Sequence, residues 1–212
     1  RLETHLDSVP ENLITAILTK EDQYFYWHPG VNPFAIARAA WNNLIQGKRT
    51  SGASTITMQV ARMLERRPRT LKSKLIEVFR ALQLEWHYSK SEILGMYLSY
   101  LPYGGNVEGV TAASYLYFDR PPRTLSLSQA TLLAIIPNRP NSLRMDTRLE
   151  AARTARDQWL RRFRQWKTFP ESQINAALNE PLQAKRHPFP QRAPHLSRRL
   201  MARRSTEIVH TT

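Results

Sequence analysis

The sequence predicts a mostly α-helical domain, and three observations predict it. Apolar residues recur at intervals of three and four up to about residue 180. Helix-start signatures of the Ser-x-x-Glu type punctuate that pattern. Strand-like alternation is nearly absent. At 212 residues the chain suits one domain with a sizeable core.

Leu13, Ile14, Ile17 and Leu18 follow Pro10-Glu11 with helical spacing, which predicts a first helix running into Lys20-Glu21-Asp22. Asn32 before Pro33 reads as an N-cap with proline at the first helical position. Phe34, Ala37, Trp41, Leu44 and Ile45 supply the apolar stripe of that second helix, closed by Gly47. A basic loop separates Gly47 from Gly52, after which Ile56, Val60, Met63 and Leu64 predict a third helix ending before Pro68. Leu71, Leu75, Val78, Phe79, Leu82 and Trp86 carry the period through a long fourth. Ser89-Lys90-Ser91-Glu92 is a capping box opening a fifth, and Ser126-Leu127-Ser128-Gln129 and Thr147-Arg148-Leu149-Glu150 read as two more. Beyond residue 180, Pro181, Pro188, Pro190 and Pro194 stand among basic residues. The expected organisation is therefore a domain over residues 1–180 and a Pro-rich basic linker over residues 181–212.

Thirty-one Lys and Arg against 17 Asp and Glu leave a formal charge of +14. Such an excess favours an anionic partner: nucleic acid, an anionic membrane surface or a phosphate-bearing substrate. With no cysteine, disulfides, thiolate metal sites and a cysteine nucleophile are excluded. No apolar run approaches the roughly 18 residues that span a bilayer, so a membrane-associated reading places the chain on the surface or gives it an anchor of its own elsewhere.

Three segments carry candidate chemistry. Glu21-Asp22-Gln23-Tyr24-Phe25-Tyr26-Trp27-His28-Pro29-Gly30 gathers two carboxylates, an imidazole and a glycine bend among aromatics. A general base needs a carboxylate whose affinity for protons is raised by partial desolvation, and Tyr24, Phe25 and Trp27 are the expected apolar wall. By itself, an acidic pair at a helix end is ordinary solvated surface. Gly52-Ala53-Ser54-Thr55-Ile56-Thr57-Met58-Gln59 is dense in hydroxyls and an amide suited to a sugar or a phosphate, although a Ser-Thr pair there also reads as a plain helix cap. Arg62, Arg66, Arg67, Arg69, Lys72 and Lys74 then form a cationic run, with Glu77 close behind. They suit a departing diphosphate; Arg66, Arg67 and Lys72 carry no claim beyond solvated helix faces.

In order, these segments resemble the five signature blocks of family 51 glycosyltransferases, the peptidoglycan polymerase domain of class A penicillin-binding proteins and monofunctional transglycosylases. The first block is complete at Glu21, Asp22, Phe25, His28 and Gly30, and the second at Gly52, Ser54, Thr55, Ile56, Thr57 and Gln59. The third keeps Lys74 and Glu77 but has Ser73 where the family has arginine. The fourth runs through Lys90, Ile93, Leu94, Tyr97 and Leu98, with Ser99 replacing asparagine, and the fifth follows from Gly109 to Phe118. Met58, the stretch from Ala81 to His87, and Gly104-Gly105 resemble the 1C subtype.

The resemblance implies a lysozyme-like helical glycosyltransferase domain with a smaller membrane-facing jaw subdomain. It also implies polymerisation of lipid II into glycan strands, with inversion at the anomeric carbon and release of undecaprenyl diphosphate. Glu21 is then the general base and Glu77 the second essential carboxylate. Ser54, Thr55 and Gln59 contact substrate, Arg62, Arg69 and Lys74 lie near the diphosphate, and Asp22 and His28 complete the binding set; Tyr97 is assigned to packing. No residue is marked as a metal ligand, but a divalent Mg or Mn ion near the diphosphate is compatible, with no organic cofactor. Implied partners are lipid II, the growing strand, the membrane surface and other cell-wall synthesis proteins, and not nucleic acid. The implied location is the periplasmic face of a bacterial inner membrane, with the anchor outside this chain. Trp27, Val31, Phe34, Ile36, Trp41 and Leu44 are the candidate lipid-facing lip. No Ser-x-x-Lys tetrad occurs, so penicillin binding is not expected of this chain. Two alternatives stay open: a family member weakened or inactivated by the Ser73 and Ser99 departures, and a lysozyme-like lytic enzyme. A helical nucleic-acid-binding module explains the charge and leaves the five blocks unexplained.

Overall fold

The computed structural model describes residues 4–46, 54–68, 70–143, 145, 147–182 and 186–187, with the side chains of residues 39–40, 42–44 and 46 outside that description. Nine α-helices lie among the described residues. They are α1 (Glu11–Glu21), α2 (Pro33–Gln46), α3 (Ile56–Leu64), α4 (Leu71–His87), α5 (Lys90–Tyr100), α6 (Val110–Phe118), α7 (Leu127–Ile135), α8 (Leu149–Gln165) and α9 (Glu171–Asn179). An isolated bridge between Pro102 and Glu108 stands in place of any strand among them.

Helix starts follow local chemistry. Asn32 Oδ1 accepts the amide of Ala35 at 2.9 Å ahead of α2. Thr55 caps α3, Thr70 caps α4, and Ser89 and Ser126 form reciprocal capping boxes with Glu92 and Gln129. The box expected at Thr147 does not form: α8 starts one residue later, behind Arg148, and has no side-chain cap. Glu150 thereby falls at the second helical position, where its charge suits the helix dipole but its side chain no longer reaches back to a cap amide.

The core is built around α7, a helix apolar on nearly every side and buried along its whole length. Helices α1, α8 and α9 pack on it. Helices α3, α4 and α5 form a second packed group, joined to the first through the continuous core that Leu13, Ile17, Phe25, Ile56, Val60 and Tyr97 share. Arg156 of α8, fully buried, ties three elements together. Its Nε donates to Asp157 at 2.8 Å, and its Nη1 to Ser128 Oγ of α7 and to the carbonyl of Glu180 after α9, each at 2.9 Å.

The period of α4 was correct, yet its apolar stripe does not face the core. Leu71, Leu75, Phe79, Leu82 and Trp86 are all exposed, Leu71 at 81 %, while the inward face presents Ser73, Ala81, Glu77 and Glu85. Helix α2 behaves alike, with Phe34, Trp41 and Ile45 exposed. Most of the expected linker lies outside the described residues; within it, Leu182 packs on the core and the amide of His187 donates to the carbonyl of Leu116 at 2.8 Å. No helix of the described residues is long and apolar enough to cross a membrane.

Candidate active site

Helix α1 ends at Glu21, and Asp22 leaves the helix with a turned backbone. The chain then bends through a short 3-10 turn, Phe25–Trp27, anchored by fully buried Phe25. His28 returns to Asp22, its Nε2 lying 2.9 and 3.1 Å from the two carboxylate oxygens. Asp22 Oδ2 also accepts the amide of Ile56 at 3.0 Å, placing a carboxylate on the N-terminus of α3. The Thr55 hydroxyl accepts from Met58 as the cap of α3 and donates to the carbonyl of Gly30. Asp22, His28 and Thr55 are thus buried and committed to one another's placement. Of the two readings of the Ser-Thr pair, the cap holds for Thr55.

A second set of bonds pins this bend from behind. Glu85 of α4 accepts from Thr57 Oγ1 at 2.6 Å and from Lys90 Nζ at 2.7 Å, and Lys90 also donates to the carbonyl of His28 at 2.6 Å. Gly30 passes so close that an added Cβ would lie 2.8 Å from Glu85 Cγ and 2.9 Å from the carbonyl oxygen of Ala81, at a φ of +83°. Gly30→Ala is therefore expected to destabilise the domain by about 2 kcal/mol or more. Thermal denaturation checks this, and an unchanged melting temperature would contradict it.

Glu21 looks into a groove of about 1180 Å³ whose wall includes Asp22, Tyr24, Trp27, Phe34, Arg38, Ser54 and Trp166. Its side chain is only 11 % exposed and forms an ion pair with Lys20, itself 4 % exposed. Gln59 Nε2 donates to Glu21 Oε2 at 3.0 Å, and Asn138 adds a further side-chain hydrogen bond. Burial pushes the Glu21 carboxyl up, but the Lys20 charge and the hydrogen bonds from Lys20, Gln59 and Asn138 together outweigh it, leaving the carboxyl below its ordinary value. This reverses the expected direction. The expected aromatic wall is incomplete, because Phe25 is buried but Tyr24 and Trp27 are largely open to solvent, Trp27 at 87 % exposure, while an ammonium sits on the carboxylate.

Tyr97 is core, as assigned from sequence, with one polar duty. Its hydroxyl donates to Gln59 Oε1 at 3.5 Å, and burial, together with the charge on Glu21, keeps the phenol well above its usual pKa and so neutral. That bond orients the Gln59 amide with its nitrogen toward Glu21.

The cationic side attaches to the same short segment. Lys74 Nζ donates to Ser54 Oγ at 3.0 Å and to Glu77 at 2.9 Å. Residues 54 to 59 thus contact Lys74, and through it Glu77, at one end and Glu21 at the other. Arg62 is exposed on α3, one turn beyond Gln59. Arg69 lies outside the described residues. Arg66 and Arg67 make exposed surface pairs with Glu108 and Glu65. Ser73 is buried within the Thr70 cap, its hydroxyl 2.9 Å from Thr70 Oγ1, and Ser99 Oγ accepts from the amide of Thr4 at 3.3 Å. No group of three or more His, Asp or Glu side chains able to hold a metal occurs among the described residues.

The model of the transglycosylase family matches residues 1–164. The chain belongs to the transglycosylase family.

Its relatives include penicillin-binding protein 1C of Escherichia coli K12, 41 % identical over 212 residues, covering 100 % of this chain and 28 % of the relative. Penicillin-binding protein 1A of Aquifex aeolicus is 35 % identical over 187 residues, covering 88 % and 26 %. This transglycosylase chain accordingly spans about a quarter of the length of the relatives it matches. The crystal structure of penicillin-binding protein 1A from Haemophilus influenzae shares the fold, with a TM-score of 0.54 at 21 % identity over 96 % of this chain and 20 % of that one. Sequence reasoning missed three features of the transglycosylase groove. Lys20 was legible as the neighbour of Glu21, and Asn138 only as a polar residue between Pro137 and Pro140. Trp166 lies just past the family match and carried no signal.

Proposed function

We propose that this chain is a peptidoglycan glycosyltransferase that polymerises lipid II into glycan strands. One observation carries the reading: a nearly buried, ionised carboxylate at the groove, Glu21, shares residues 54–59 with the Lys74–Glu77 pair. That is a base and a cationic anion-holder tied to one short segment by hydrogen bonds. Glu21 accepts the proton of the acceptor sugar's 4-hydroxyl while that oxygen bonds to the anomeric carbon of the growing chain. The bond from that carbon to the diphosphate breaks, its electron pair leaves with undecaprenyl diphosphate, and the linkage inverts from alpha to beta. Lys74 and Arg62, with Arg69, neutralise the charge that develops on the leaving group. Glu77 orients Lys74, Ser54 and Gln59 meet the substrate, and Asp22, His28 and Thr55 hold the bend that carries the base.

A divalent Mg or Mn ion fits the diphosphate side of this scheme. Such an ion needs only one or two protein carboxylates when phosphate oxygens supply the rest, and Glu77 is the carboxylate there. When bound, the ion would add charge neutralisation at the diphosphate.

The exposed faces of α2 and α4 are proposed as the lip that meets the bilayer holding a lipid-linked substrate. Trp27, Phe34, Ile36 and Trp41 stand exposed as anticipated, Val31 partly so, and the Leu44 side chain lies outside the described residues. The α4 stripe from Leu71 to Trp86 widens that surface, and the +14 charge suits anionic lipid. The working location is the periplasmic face of a bacterial inner membrane, beside other cell-wall synthesis proteins.

The deciding experiment supplies lipid-linked disaccharide-pentapeptide in detergent with Mg or Mn, with and without moenomycin, an inhibitor of the family. Moenomycin-sensitive glycan strands are the expected product. Cleavage of preformed strands without synthesis would replace this reading with the lytic one.

A further inference from the structure

We propose that Lys20 is a positioning residue of this reaction: held between the Trp159 ring of α8 and the Glu21 carboxylate, it fixes that carboxylate in place and sets the pH range over which the base works. The inference rests on the proposed function only in naming the reaction; its physical content is the Lys20–Glu21 pair.

Lysine is among the residues least often buried, because an ammonium removed from water is costly unless a partner replaces its hydration. Here Lys20 is 4 % exposed at the end of α1. Its partners are the Glu21 carboxylate and the face of Trp159, whose centroid lies 5.6 Å from Nζ. Arg162 lies over the same ring at 4.8 Å, and Phe163 and Trp166 pack against it with centroids at 5.8 and 6.2 Å, so the indole is held in place. Burial pulls the Lys20 ammonium below its ordinary pKa, and the Glu21 charge opposes that pull. The ammonium is therefore kept charged by the carboxylate it restrains. Neither partner is well placed without the other.

The described groups facing Glu21 come from several elements. Lys20 and Asp22 flank it in sequence; Gln59 comes from α3, Tyr97 from α5, and Asn138 from the turn after α7. Arg62 of α3 acts on the neighbouring Tyr97, Trp159 of α8 meets Lys20, and Arg162 lies over that ring. Asp22 is engaged by His28 and by α3, and Tyr97 stays neutral. Lys20 is thus the cation in direct contact with the base among the described residues. A carboxylate accepts about four hydrogen bonds, so Lys20, Gln59 and Asn138 leave a position for an incoming hydroxyl. Lys20 restrains the carboxylate without filling it.

The sign follows from the order of the influences on Glu21. Burial is the largest and acts upward; Lys20 supplies the next two, both downward. Without the ammonium, only the hydrogen bonds from Gln59 and Asn138 oppose burial, and the carboxylate becomes harder to ionise than in the wild type. The experiment measures kcat and kcat/KM for strand synthesis against pH in the wild type, Lys20→Met and Lys20→Arg. In Lys20→Met the acidic limb is expected to move up by about one pH unit or more, and in Lys20→Arg to stay near the wild-type position. In parallel, the Glu21 side-chain carboxyl is titrated by carbon-13 NMR in the same proteins, where the same upward shift is expected. If the chain makes no strands, the function reading fails while the NMR titration still tests the pair. Lys20→Gln, which retains a hydrogen-bond donor, serves should Lys20→Met not fold. A lowered melting temperature with an unmoved acidic limb and an unmoved Glu21 titration would reduce Lys20 to packing and overturn the proposal.

Discussion

Replacing Glu21 with glutamine is expected to lower strand synthesis by about a thousandfold, within the range a lost general base imposes. The substitution keeps the shape of the side chain, and its amide oxygen still accepts from Gln59, so the groove should survive. What disappears is a group able to take a proton from the acceptor hydroxyl. There is a structural side effect as well. Lys20, 4 % exposed, loses the charge that balances it, so Glu21→Gln alone should also lower the melting temperature. Adding Lys20→Met removes the stranded ammonium and should recover stability without recovering activity. That divergence separates chemistry from folding within one mutant series. Strand synthesis in Glu21→Gln at a rate near wild type would end the assignment of the base.

The sequence made the helices legible because periodicity and caps are local. Asn32, Ser89 and Ser126 mark their helix starts by chemistry confined to four residues. The failure at Thr147 is instructive: the same four-residue pattern was present, but the backbone began its helix one residue later. Periodicity names a helix without saying which face is inward. For α4 the apolar stripe points out, because the inward positions are taken by Ser73, Glu77, Ala81 and Glu85, of which Glu77 pairs with Lys74 and Glu85 with Lys90. A largely polar inner face and an apolar outer one invert the usual arrangement, as expected of a helix that packs on α3 on one side and, in our proposal, meets lipid on the other.

Which candidate residues the fold brings together was partly legible in the sequence, and their electrostatics was not. Glu21, Ser54, Gln59, Lys74 and Glu77 are brought together through one segment. The direction of the Glu21 shift was inverted because the fold buries its sequence neighbour Lys20 against it, with Gln59 and Asn138 adding hydrogen bonds. Of the aromatic neighbours, Tyr24 and Trp27 turned outward, whereas Asn138 arrived from more than a hundred residues away and Trp159, beside Lys20, from further still. Adjacent residues tell which groups are available, and the fold decides which of them share a dielectric.

The second large effect is expected at Arg156, far along the chain from any block. Truncation in Arg156→Ala leaves Asp157, Ser128 Oγ and the Glu180 carbonyl without their shared donor inside the core. Breaking a buried, multiply bonded charge costs about 3–5 kcal/mol, a large part of the 5–15 kcal/mol typical of a whole domain. The melting temperature should therefore fall by roughly 10 °C. Arg156→Met retains the apolar stem and should fall less. Because Arg156 does not line the groove, synthesis per folded molecule should stay within a few-fold of wild type at low temperature. The connection to the site runs through α8, which carries both Arg156 and Trp159. If Arg156 is what seats α8 on α7, then Arg156→Ala should also loosen the Trp159–Lys20 contact, and part of the acidic-limb shift of Lys20→Met should reappear in it. An unchanged melting temperature in Arg156→Ala would show that the clamp is not what holds the two helices together.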